Sequence, residues 1–141
     1  LGNCPKGERK KLATHNENSG LKLSREAAAD LSAKQYLFVK LGTGSKINVC
    51  SAATDVPCGI LLDKPASGAT GQVQVTGLGK VIAGGTIAVG DLLGTDANGK
   101  AVKLTIGTDT TKYVVAQAVS AGSANELVTV LLNATTPHRA A

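Results

Sequence analysis

The stretch from Val81 to Lys103, VIAGGTIAVGDLLGTDANGKAVK, decides the fold class. Three tight turns punctuate it: Ala83-Gly84-Gly85, Val89-Gly90-Asp91 and Asp96-Ala97-Asn98-Gly99. Glycine supplies the positive φ such turns require, and Asn-Gly is a strong hairpin signal. The apolar runs between the turns are too short for helices. The stretch therefore reads as short strands on glycine turns, with almost no side chain capable of chemistry. Such a segment is a scaffold, and it points to a structural or binding role.

The same pattern extends outward in both directions. Upstream, Tyr36–Leu41 is rich in strand formers, Lys46–Cys50 alternates polar and apolar residues, and Cys58–Asp63 is a further run. Gln72–Thr76 alternates with both valines on one face, Gly77-Leu78-Gly79 reads as a bulge or corner, and Lys80–Ile82 continues outward. Downstream, Tyr113–Val119 and Leu127–Leu132 close the series. Thirteen of the seventeen glycines fall between Gly42 and Gly107, which marks the turn-dense part of the chain. Turns at this spacing predict an all-β domain over residues 30–133, a small β-barrel or sandwich of about eight to ten short strands. No repeat at a solenoid period is visible.

Residues 1–29 read as an extended basic N-terminal arm. Ser24 is an N-cap candidate for one or two helical turns running to Ala33, so the fold carries at most one short helix. Leu21-Lys22-Leu23 alternates and suits a strand added to a sheet edge. Residues 134–141 form a polar C-terminal tail containing Pro137.

Charge and composition narrow the function classes. Lys and Arg number 15 against 10 Asp and Glu, a net charge of +5. Lys6, Arg9, Lys10 and Lys11 concentrate that excess in the arm, where they suit an acidic partner surface. The only aromatic residues are Tyr36, Phe38 and Tyr113, which disfavours base-stacking and sugar-binding modules. A nucleic-acid role would rest on the arm alone, with affinity falling steeply in salt; direct nucleic-acid contact is not expected. The first twenty residues lack an apolar signal core, and no run approaches a membrane span, so no membrane partner is expected.

Catalytic candidates are few. His15 lies in the arm and His138 in the tail, away from the strands that build a core. Asp55, Asp63, Asp91, Asp96 and Asp109 stand at strand ends or turns, where aspartate bonds nearby backbone. Neither Gly77-Leu78-Gly79-Lys80 nor Gly42-Thr43-Gly44 has the spacing of a phosphate loop. Cys4, Cys50 and Cys58 allow at most one internal disulfide, and they lack zinc-ligand spacing with His15 or His138. Cys50 and Cys58 flank a turn containing Pro57, and read either as a pair or as small buried thiols. The expectation is a non-enzyme with no cofactor, no metal and no small-molecule substrate.

Four stretches together resemble the capsid cement, or head decoration, proteins of tailed phages. They are Asp30–Leu41, Cys58–Gly68, Val75–Val81 with Ala83–Leu92 and Asp96–Val102, and Glu126–Leu132. The resemblance covers residues 30–133. It implies a protein on the outer surface of a phage head that binds the major capsid protein and reinforces the shell against internal DNA pressure. It also implies self-association as a homotrimer at three-fold or quasi-three-fold positions, with assembly in the host cytoplasm. The arm would then reach across the capsid protein or a sister subunit. On this reading Lys6, Arg9, Lys10 and Lys11 contact acidic partner groups, and Leu21, Leu23, Tyr36 and Phe38 are the apolar contacts. The alternative is a small-ligand or carbohydrate-binding β module on the virion.

Overall fold

A computed structural model of the chain describes residues 20–141. Twelve strands make up the described part: β1 (Lys22–Glu26), β2 (Phe38–Leu41), β3 (Ile47–Val49), β4 (Gly59–Leu61), β5 (Thr70–Gln74), β6 (Thr76–Ile82), β7 (Leu92–Thr95), β8 (Ala101–Lys103), β9 (Tyr113–Val114), β10 (Ala116–Ala118), β11 (Leu127–Asn133) and β12 (His138–Arg139). Among these residues the sole helical element is a 3₁₀ turn at Thr43–Ser45.

The helix expected after Ser24 is therefore not formed. Lys22–Glu26 is instead an antiparallel partner of β5, in register from Lys22–Gln74 to Glu26–Thr70. A short run of good helix formers nucleates poorly alone, and a full ladder on a neighbouring strand outweighs its propensity. The side chain of Leu23 also packs against the core from this strand.

The strands form two five-stranded sheets, ordered β1-β5-β4-β2-β3 and β6-β11-β10-β7-β8, with β9 and β12 as a separate pair. Neither sheet closes into a barrel; the architecture is a sandwich. One isolated parallel bridge ties the ends of each sheet, Ala27 to Ile47 in the first and Ala83 to Ala101 in the second.

The two orders are the same order. β6, β11, β10, β7 and β8 stand in the second sheet where β1, β5, β4, β2 and β3 stand in the first, about 54 to 57 residues later. The registers match as well: Val39–Val49 recurs as Leu93–Lys103, Phe38–Ile60 as Leu92–Gln117, and Ile60–Gln74 as Gln117–Leu131. Loop hydrogen bonds repeat too. The Tyr36 N–H donates to the Leu61 carbonyl and that of Gly90 to Ala118, each at 2.8 Å; the Leu62 N–H donates to Gln72 and that of Val119 to Thr129. The chain is thus an internal structural duplication, with the first unit running through Gln74 and the second from Thr76. Among the described residues, three non-glycine positions have left-handed backbone: Tyr36, Ser45 and Asn125. Each faces a positive-φ glycine at the equivalent place of the other unit, namely Gly90, Gly99 and Gly68. The left-handed conformation belongs to the fold, and either glycine or a strained substitute meets it.

Alternation within strands builds the cores. In the first unit Ala27, Leu31, Val39, Ile47, Leu61 and Val73 form an interior cluster. Their counterparts Ala83, Ile87, Leu93, Ala101, Ala118 and Val130 lie in the interior of the second. The other face of the first sheet is also apolar: Phe38, Cys50, Ile60 and Val75 join the interior of the second unit in one cluster. That shared cluster binds the two units together. At the joint, Val75 is the single residue between β5 and β6, and the buried Gln74 donates its amide to the carbonyls of Thr76 and Leu78. Gly79 leaves room for this side chain, since a Cβ there would stand 2.9 Å from Gln74 Oε1.

Candidate binding surface

The turn aspartates act on backbone, as their placement in the sequence suggests. The Asp55 carboxylate accepts the Ser51 and Ala52 amides at 2.9 and 3.0 Å and the Lys40 ammonium at 2.9 Å. In the second unit Asp109 accepts the Thr105 amide at 2.7 Å and the Lys112 ammonium at 3.1 Å. Asp91 accepts the Ala88 amide, Asp96 those of Asn98 and Lys100, and Asp63 that of Gln72. Burial opposes ionisation of Asp55, but the Lys40 charge and the two amides outweigh it and hold the carboxyl below its ordinary range. The Thr105 amide, then Lys112, does the same for Asp109. Carboxylates committed to turns are loop locks.

Cys50 and Cys58 are free thiols, one buried and one half-buried. Burial pushes them up to about 12 and about 11, which favours the protonated thiol at neutral pH. Among the described residues no group of three His, Cys, Asp or Glu side chains is placed to hold a metal. His138 is exposed on β12, and Arg139 beside it lies 5.7 Å from the Tyr113 ring centre.

The surface features are apolar. On β11 the inward phase is Val128, Val130 and Leu132, while Leu127 and Leu131 point outward at 50% and 53% exposure. Val119, just past β10, adds a third exposed group to that side. A shallow hollow of about 280 Å³ opens beside Leu131, lined by Leu92, Gln117, Thr136 and His138 among others. A second hollow lies where the units meet, between Tyr36 and Leu62 on one side and Leu78, Lys80 and Thr129 on the other.

The residues picked from sequence fall into three groups. Lys6, Arg9, Lys10 and Lys11 lie outside the described residues. Leu21 is exposed, held by its N–H to the Thr76 hydroxyl at 3.0 Å and by its carbonyl from the Val75 N–H at 2.8 Å. Leu23 is half-buried against the core, and Tyr36 is half-buried at the second hollow. Phe38 is a correction: it is fully buried in the cluster that joins the units, so its ring is packing rather than a surface contact. Sequence reasoning missed Leu127, Leu131 and Val119. The available signal was β11 itself, where LVTVLL is apolar in both phases of the alternation.

Comparison with known proteins bears directly on this scaffold. The model of the phage cement protein family matches residues 15–133. The chain belongs to the phage cement protein family. It is a capsid-associated structural protein of a bacteriophage. No curated protein sequence matches it. Among solved structures, this cement protein is similar to the crystal structure of the head fiber gp8.5 N base of bacteriophage phi29. The identity is 25%, the TM-score 0.59, and the match covers 81% of this chain and 94% of that one.

Proposed function

We propose that the protein is a non-enzymatic cement that binds the outer surface of a phage head and stabilises the shell against internal DNA pressure. On this reading it acts as a homotrimer at three-fold or quasi-three-fold positions, against the major capsid protein. The family match across residues 15–133 carries the reading. The physical character of the domain supports it. Two sheet units share a core, the loop aspartates are committed to turns, and large apolar side chains such as Leu127 and Leu131 stand exposed. A clamp needs rigidity and sticky faces more than reactive groups. The basic arm, with Lys6, Arg9, Lys10 and Lys11, is proposed to reach acidic groups of the capsid protein or of a sister subunit, and Leu21 and Leu23 to lie along the same contact.

The test uses purified protein and undecorated heads. Saturating co-sedimentation at a fixed copy number, with heads that then resist heat or osmotic rupture, is the expected result. Protein that stays in the supernatant at every ratio would refute the reading.

A further inference from the structure

The duplication leaves one joint used and the equivalent joint open. In the first unit the row Phe38, Ile60, Leu62 and Gln74 faces the second unit; Phe38 and Ile60 are fully buried there. The equivalent row of the second unit is Leu92, Gln117, Val119 and Leu131. Among the described residues that row is largely uncovered. Leu131 is 53% and Val119 43% exposed, and Gln117 is exposed. The C-terminal segment shields only its end, where Val114 and Ala140 pack with Leu104 and Leu92.

The receiving side is open as well. Inside the chain the first unit's row docks on the seam of the second sheet. The Tyr36 carbonyl accepts the Ile82 N–H at 2.9 Å, the Phe38 N–H donates to Gly99 at 2.7 Å, and Thr95 sits beside Cys50. In the first unit the corresponding seam is Glu26, Ser45 and Leu41. It lines a surface hollow at Glu26 and Ser45, and Leu41 is 49% exposed. Both halves of a second joint are therefore present on one molecule, on opposite units.

We infer that the row Leu92–Gln117–Val119–Leu131 docks a second copy of this chain, head to tail, on the seam around Glu26, Leu41 and Ser45. The partner is a like unit because a like unit already covers the equivalent row within the chain. A contact between unlike surfaces propagates from copy to copy and closes into a ring when the rotation allows. Three copies closed in this way would be the trimer proposed above. The inference deepens that reading by naming the surfaces through which copies meet.

The experiment is light scattering and sedimentation on the full chain, wild type beside Leu131→Asp, Leu41→Asp and the control Ile106→Asp, which replaces an exposed residue outside both surfaces. All three positions are about half exposed, so the variants should fold; circular dichroism and urea midpoints check this. The expected result is an oligomeric wild type and control, with each of the other two variants monomeric at concentrations at least tenfold above wild-type assembly. A monomeric wild type, or an oligomer that survives both substitutions, overturns the inference. An oligomer lost with Leu131→Asp alone overturns the head-to-tail pairing. Head binding is scored separately. Copies that assemble through these surfaces but ignore heads would refute the cement reading and leave this one standing. Heads decorated equally by wild type and by a still-oligomeric Leu131→Asp would do the reverse.

Discussion

Phe38→Ala separates a core ring from a partner contact. The ring is fully buried in the cluster that holds Ile60 and Val75 of one unit against Val81, Leu93 and Val130 of the other. Truncating such a phenylalanine costs about 3–5 kcal/mol, the sum of lost transfer energy and residual cavity. With a urea slope of about 2 kcal/mol/M, the midpoint should fall by roughly 2 M. A domain holds only about 5–15 kcal/mol in total, so the variant should fold but be marginal. Val39→Ala is the comparison. It lies next along β2 but faces the first unit's own interior, and losing its two methyls should cost about 2 kcal/mol. Equilibrium urea titration followed by far-ultraviolet circular dichroism measures both. A cluster shared by both units also demands one transition, so wild type should unfold in a single step by calorimetry. A loss below about 1 kcal/mol for Phe38→Ala, or two resolved transitions in wild type, would refute the shared core.

Further outcomes follow from the turns and thiols. Gly99→Ala should cost about 1–3 kcal/mol by urea titration, because φ is +79° and a Cβ would stand 2.6 Å from Val49 Cγ2 and 3.0 Å from the Phe38 carbonyl oxygen. Gly107→Ala, at φ +86° but with open space around it, should lose only about 1 kcal/mol; equal losses would show that the contact is immaterial. In a Cys4→Ser background, Cys50 and Cys58 should react slowly with a thiol reagent at pH 8 and both react promptly in denaturant; fast labelling of the native protein would contradict their burial. Asp55 and Asp109 have folded pKa values below the unperturbed 3.8, so the stability they contribute is present above about pH 4 and is lost as pH falls through the folded values. The melting temperature should drop between pH 4 and pH 2 less steeply in the Asp55→Asn/Asp109→Asn variant than in wild type, and parallel curves would exclude these two groups as the cause.

The β class, the turns and the loop aspartates were legible because their causes are local. Asn98-Gly99 turns the chain between β7 and β8, and Asp96 binds the Asn98 and Lys100 amides, within a few residues of one another. The alternation of Leu127–Leu132 likewise declares a strand without any neighbour. The segment after Ser24 was misread for the complementary reason. Its conformation is set by β5, some fifty residues away in sequence, through a ladder that local propensity does not contain. The duplication was invisible because it is carried by backbone bonds. Tyr36 and Gly90 donate equivalent N–H groups and share a left-handed backbone, yet their side chains have nothing in common.

From residue order alone, then, come a glycine-turned all-β chain with its carboxylates committed to turns and the likeness to phage cement proteins. Which apolar face is buried came only with the tertiary structure. Phe38 and Val39, or Ile60 and Leu61, are neighbours on one strand that point to opposite sides, and both members of each pair are apolar. A period of two cannot tell which side meets solvent when both sides are greasy. Long-range pairing decides it: the second unit covers Phe38 and Ile60, while Leu131 and Val119, the counterparts of Gln74 and Leu62, stay 53% and 43% exposed among the described residues. The proposed assembly surface rests on that asymmetry between two copies of one topology.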